Sequence, residues 1–194
     1  YPVKSYIRSS VPKAEKNNLD GKICMITYSN DDTERVNGLT SVIEAKGGKI
    51  IRGEPTDLNP EEKNVDLYIH FTGNIPNFSK LTELTRYEWD KLVTNFISEP
   101  AMVARQAIST FVPEGDIDPR AFKDARGRIV IIGPDLPAGK KISGHERAKI
   151  EVFRGALRPF ATTVNQELSD VLKSNVRMFL ILPGTVDGKE PNNE

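Results

Sequence analysis

The stretch that decides the fold is KICMIT, residues 22–27, together with the turn YSNDDTE that follows at residues 28–34. A short, almost continuously apolar run marks a strand covered on both faces, as in a parallel sheet. The Asp20-Gly21 pair sets a turn just before it. Beyond the polar turn, Val36, Leu39, Val42 and Ile43 recur at helical spacing, with Asp31, Asp32 and Thr33 as N-cap candidates. Gly47-Gly48 is predicted to end that helix, and KIIR at residues 49–52 reads as a second short strand. Strand, turn, helix and strand in this order make a βαβ unit, whose crossover is right-handed almost without exception.

Working outward, VDLYIHF at residues 65–71 reads as a buried strand stopped at Thr72-Gly73. A helical period runs over residues 86–111 through Trp89, Leu92, Val93, Phe96, Met102, Val103, Ala107 and Phe111, and Pro100 inside it should kink or divide it. Residues 113–127 are polar and read as a surface insertion. RIVII at 128–132 is the next strand, followed by a Gly/Pro-rich loop over 133–144. A second long helix is expected over 145–172, carrying Ile150, Phe153, Leu157, Phe160, Val164 and Leu168, with a bend at Pro159. VRMFLIL at 176–182 is the last strand, stopped by Pro183-Gly184. The alternation predicts an α/β fold: a doubly wound, mostly parallel sheet of about five strands. The organisation expected is an extended arm or linker over 1–20, one domain over 21–186 and a loose tail over 187–194.

At 194 residues the chain is long enough for one sizeable core. It has 27 Lys plus Arg against 27 Asp plus Glu, so no global field draws it to nucleic acid or an anionic membrane. A single cysteine, Cys24, excludes an intrachain disulfide framework and fits core packing in a reducing compartment. No apolar stretch reaches the roughly 20 residues of a membrane-crossing helix, so a soluble protein is expected. The absence of a secretory segment adds an intracellular location, and a chain starting at Tyr1 is compatible with a removed transit peptide. Cytoplasm and mitochondrial matrix both fit, and a fragment of a longer protein fits equally. No metal site is expected.

In its order of elements from Asp20 to Gly184 the chain resembles the short-chain dehydrogenase/reductase superfamily of Rossmann-fold enzymes, with nearly every signature altered. Where that family places Thr-Gly-x-x-x-Gly-x-Gly after its first strand, this chain has Thr27-Tyr28-Ser29-Asn30-Asp31-Asp32-Thr33-Glu34. Those glycines allow the tight turn, the close approach of backbone to pyrophosphate and the helix-to-strand packing. Here Tyr28 adds bulk, and Asp31, Asp32 and Glu34 add negative charge where a dianion would sit. The same acids also suit the first turn of any helix, where they complement its dipole.

The family's Asn-Asn-Ala-Gly corresponds to His70-Phe71-Thr72-Gly73, with Asp66 at the preceding acidic position. Only Gly73 survives. Asn95 matches the family's helix asparagine, and Pro183-Gly184 its Pro-Gly after the sixth strand. Gly133-Pro134 occupies the region of the catalytic serine, and His145-Glu146-Arg147-Ala148-Lys149 that of Tyr-x-x-x-Lys, with the lysine kept and the tyrosine replaced. Two readings follow for this last segment. His145 and Lys149, with Asn95 and Ser143 nearby, form a residual proton-shuttling site, or they are an exposed i, i+4 pair on an amphipathic helix. Residual cofactor contacts fall to Thr27, Gly73, Pro183 and Gly184.

About a dozen residues separate KIIR from VDLYIHF, too few for the usual helix, third strand and helix. Nothing corresponds to the family's seventh strand either. Such shortened modules are similar to the non-catalytic Rossmann units of malonyl-CoA reductase and of high-molecular-weight 3-oxoacyl-ACP reductases. The resemblance therefore implies a catalytically degenerate scaffold or accessory module without a bound cofactor. Its partner would be another protein, other domains of the same polypeptide, or a second copy meeting it through helices 86–111 and 145–172. The alternative is a divergent NAD(P)-dependent oxidoreductase of carbonyl or hydroxyl substrates, with a flavodoxin-like small-ligand module as a third reading.

Overall fold

The computed structural model describes residues 19–28, 32–53, 65–75, 80–111, 125–135 and 144–183. The expectations for the arm, for the tail and for Asp31, Ser143 and Gly184 lie outside them. Five strands, β1 (Ile23–Tyr28), β2 (Lys49–Gly53), β3 (Leu67–Phe71), β4 (Arg126–Ile132) and β5 (Asn175–Ile181), form one sheet in the order β2-β1-β3-β4-β5. Every pairing is parallel. This is the Rossmann order 3-2-1-4-5-6 with its third strand left out, and it brings the topological switch point between β1 and β3.

Helix α1 (Thr33–Ala45) returns between β1 and β2. The glycine pair ends it as a Schellman motif: Gly47 N–H donates to Glu44 O and Gly48 N–H to Ile43 O. Gly47 sits at φ 83°, and a Cβ on Gly48 would meet the Ile43 side chain at 2.6 Å. Val36 and Ile43 of α1 pack on Cys24, Ile26, Ile69 and Phe71, closing the core of one face.

The other face carries the larger core, in which Met25, Tyr68, Ile129, Ile131, Val176 and Met178 meet Val103, Ala104, Ala107, Ala161 and Leu168. Its helices are α2 (Arg86–Val93), α3 (Glu99–Thr110) and α4 (Gly144–Gln166). Near Pro100 the helix is continuous but changes character: a π turn, Thr94–Ser98, joins α2 to α3 through helical backbone, and Pro100 follows it in the first turn of α3. Helix α4 runs through Pro159, with Gly155 at i−4 where the ring crowds the carbonyl. A second π turn, Glu167–Val171, leads to β5.

One boundary is corrected. Arg126 and Gly127, read from sequence as part of a surface insertion, belong to β4. The strand alternates Arg126, Arg128, Val130 and Ile132 on one face with Gly127, Ile129 and Ile131 on the other, so its start looks polar although every second residue is buried. Gly127 lies under Phe111, whose ring an added Cβ would meet at 2.5 Å.

Candidate functional site: the crevice at the carboxyl ends of the strands

In open α/β sheets ligands bind outside the carboxyl ends of the strands at the switch point. Here that crevice lies between the turn after β1, the Thr72-Gly73 segment after β3, and Gly133-Pro134-Asp135 after β4. Its centre is filled by this chain's own Arg35, on the first turn of α1. The Arg35 guanidinium sits 2.9 Å from the Asp32 carboxylate and 3.2 Å from that of Asp135, and its carbon is 5.3 Å from the centre of the Phe71 ring. Asp32 stands at the N-cap of α1 with its side chain fully buried, but the expected capping bond is absent: the carboxylate accepts from Arg35 instead. The approach to Asp135 is a charge contact without hydrogen-bond alignment.

Thr27 and His70, neighbours in register on β1 and β3, are both fully buried, with Thr27 Oγ1 2.9 Å from His70 Nδ1. Burial pushes the His70 imidazole down to about 4, so the ring is neutral at pH 7, and its Nε2 meets no partner among the described residues. The Tyr68 phenol, also buried and unpartnered among them, is pushed up by the same desolvation. Gly73 has φ 82°, a left-handed conformation that explains a glycine there without any ligand.

At the far wall Arg154 of α4 is nearly buried. It donates to Pro134 O and Leu182 O, 3.2 Å each, and to Pro183 O. Gly133 N–H donates to Ile181 O at 2.8 Å. The loops after β4 and β5 are thus tied together from beneath.

No family model matches the chain, and no curated protein matches it in sequence. Solved structures do match in three dimensions. A metagenomic short-chain oxidoreductase in complex with NADP aligns over 87% of this chain and 84% of its own, with a TM-score of 0.54 and 16% identity. A short-chain dehydrogenase from Burkholderia cenocepacia J2315 in complex with NADP aligns over 91% and 77%, at TM-score 0.56 and 16% identity. The NADH-dependent reductase A1-R′ complexed with NAD aligns over 88% and 81%, at 0.57 and 17%. The fold is that of the short-chain oxidoreductases.

On that fold the residues singled out by sequence fall as follows. Lys149, on the second turn of α4, is 1% exposed, which corrects the reading of His145 and Lys149 as an exposed pair; only His145 is exposed. Phe153, one turn after Lys149, packs between Trp89 and Phe96 at ring distances of 5.7 and 5.5 Å. Asn95 precedes Phe96 in the π turn and is half-buried, while Phe153 packs in the seam between α4 and the Trp89–Phe96 side. Glu88 lies on the Lys149 side of that seam. Its carboxyl is held below the usual range by hydrogen bonds from the Thr85 hydroxyl and N–H, both 2.7 Å, with the Lys149 charge adding least.

Pro183 is half-buried under the Arg154 clamp, and Thr27 is taken up by His70. Among the described residues no group of three or more His, Cys, Asp or Glu side chains could hold a metal ion, and no helix is long and apolar enough to cross a membrane. Sequence reasoning missed Arg35, Asp135 and Arg154. The spacing Asp32-x-x-Arg35 was a usable signal for the first; nothing local pointed to Asp135 or Arg154.

Proposed function

We propose that the chain is a catalytically degenerate module of short-chain-oxidoreductase fold, working as a structural or accessory part of a larger enzyme or assembly. The observation that carries this reading is Arg35 held between Asp32 and Asp135 across the switch point. A dinucleotide needs its diphosphate against bare N–H groups at the start of α1. Here a buried carboxylate occupies that end of the helix, and Arg35, the cation on its first turn, is already shared by two acids. At ~4 Å each carboxylate opposes an anionic charge by about 4 kcal/mol near a protein surface. A diphosphate would have to displace the bridge as well. Contact with a partner is assigned to the outer faces of α2, α3 and α4, where Tyr87, Met102 and Val152 are exposed.

The test is thermal unfolding with 1 mM NADH or NADPH. An unchanged midpoint is expected; a ligand bound at 10 μM would add about 2.7 kcal/mol and raise it by several degrees. One observation favours a second reading, a divergent NAD(P)-dependent oxidoreductase of carbonyl or hydroxyl substrates: Lys149 keeps its place on α4 and is buried. That reading requires NAD(P)H turnover that Lys149→Met abolishes.

A further inference from the structure

Parallel sheets are covered on both faces, because backbone and apolar side chains on either side must leave water. Among the described residues, one face of β4 and β5 departs from that rule. On the face closed by α1, helix packing reaches β1, β2 and β3. The same face continues across β4 and β5 through three register pairs: Arg128 with Arg177, Val130 with Phe179, and Ile132 with Ile181. Phe179 and Ile181 are each 49% exposed, and Val130 and Ile132 are half-buried. β5 is also an edge strand of the described sheet.

Toward the amino ends of β4 and β5 this apolar strip gives way to positive charge. Arg126, Arg128, Asn175 and Arg177 line an open depression of ≈ 380 Å³, with no carboxylate among the described residues of its wall. Asp66, which lines the adjoining depression, is paired with Lys22 at 2.7 Å. Like charges directly opposite each other on neighbouring strands destabilise a sheet. Even so, Arg128 and Arg177 are held in that arrangement: Arg128 Nη1 donates to Gly127 O and Asn175 O, both at 3.0 Å, and Arg177 Nη1 donates to Ser174 O and Val176 O at 2.9 and 2.8 Å. The guanidinium heads are fixed by backbone carbonyls, and their remaining donors meet no acid among the described residues.

We propose that this half-face is the docking surface for one α-helix of a second polypeptide, apolar along one stripe and acidic in its last turn, lying antiparallel to β4 and β5. The proposal rests on the accessory-module reading and names the chemistry of the partner. A helix is the element that covers parallel strands, and the antiparallel direction is the one helices take on such sheets. That direction sets its carbonyl end, with its partial negative charge, over the three arginines, and its acidic side chains add to the match. Seven strand residues span about 23 Å, the length of about 15 helical residues. A small anion would answer the arginines and leave Phe179 and Ile181 in water; a helix answers both.

The test places p-benzoyl-phenylalanine at Phe179 in the full chain, inside the cells that make it, and identifies the cross-linked peptide after irradiation. The expected product is a helical segment of a different polypeptide with Asp or Glu in its last turn. Its yield should fall about tenfold when Arg128→Glu and Arg177→Glu are combined, and should recover when the partner's acids become lysines. Cross-links to a second copy, to residues 184–194 of the same chain or to nothing overturn the proposal, as does a yield indifferent to the charge reversal. Dinucleotide binding with the cross-link intact would remove the accessory reading alone. No cross-link and no dinucleotide binding would remove the docking proposal alone.

Discussion

Two openings of one sheet answer their charges differently. At the carboxyl ends of β1 and β4, Arg35 is bridged by Asp32 and Asp135 and lies over Phe71, so the place where a diphosphate would enter is occupied from within. On the outer face of β4 and β5, Arg126, Arg128 and Arg177 surround a depression with no carboxylate among the described residues, beside exposed Phe179 and Ile181. At the first opening the arginine is answered by the chain's own acids. At the second, no acid among the described residues answers the arginines. The proposed function follows from the first opening and the proposed docking surface from the second.

The largest contrast is between two residues on the same face. Ile26, fully buried under α1, should lose about 3–4 kcal/mol of stability on change to Ala. Phe179, half in water, should lose less than about 1 kcal/mol in the isolated chain. Urea unfolding of the two variants checks both, and equal losses would mean that the β4–β5 half is covered.

Next is pH. The unfolded chain protonates His70 near 6.5, whereas the folded chain resists protonation down to about 4. Stability is therefore level above pH 6.5 and falls as the pH drops from 6.5 to 4, by about 3 kcal/mol in all. His70→Leu should flatten that part of the profile.

Cutting the Arg154 clamp by Arg154→Met leaves the carbonyls of Pro134, Leu182 and Pro183 without their donor and should cost about 2–3 kcal/mol by denaturant unfolding. Arg35→Ala should cost about 1–2 kcal/mol, less than a fully buried pair because Arg35 keeps 28% of its side chain in water. The smallest effect has the opposite sign. Arg177→Thr relieves the like-charge pair with Arg128 and should stabilise the isolated chain by about 0.2–1 kcal/mol while weakening partner docking.

The covered parts of the molecule were legible in sequence because burial on both faces leaves apolar runs: KICMIT and VDLYIHF each match their strand to within two residues at either end, and VRMFLIL matches β5 as closely although one of its faces is exposed. Gly47-Gly48 announced its Schellman motif for the same local reason, since only glycine fits that backbone. The uncovered half-face was not legible: Arg126 and Arg128 gave β4 a polar start, and the period of two beneath them was masked by Gly127. Within the crevice, the missing glycines of the turn after β1 could be read directly. The bridge that replaces them could not, because it joins Arg35 to Asp135 across a hundred residues of chain. Lys149 is buried one turn before Phe153, which packs on Trp89 and Phe96 from another part of the chain, and the spacing within α4 does not encode that packing.

The central claim is that the crevice at the carboxyl ends of the strands no longer takes a dinucleotide. Calorimetric titration of NADPH, and separately of NADH, into the full chain tests it most directly. No saturable heat is predicted up to millimolar ligand. Stoichiometric binding at micromolar affinity, with Arg35 released from Asp32 and Asp135 in the bound form, would contradict it.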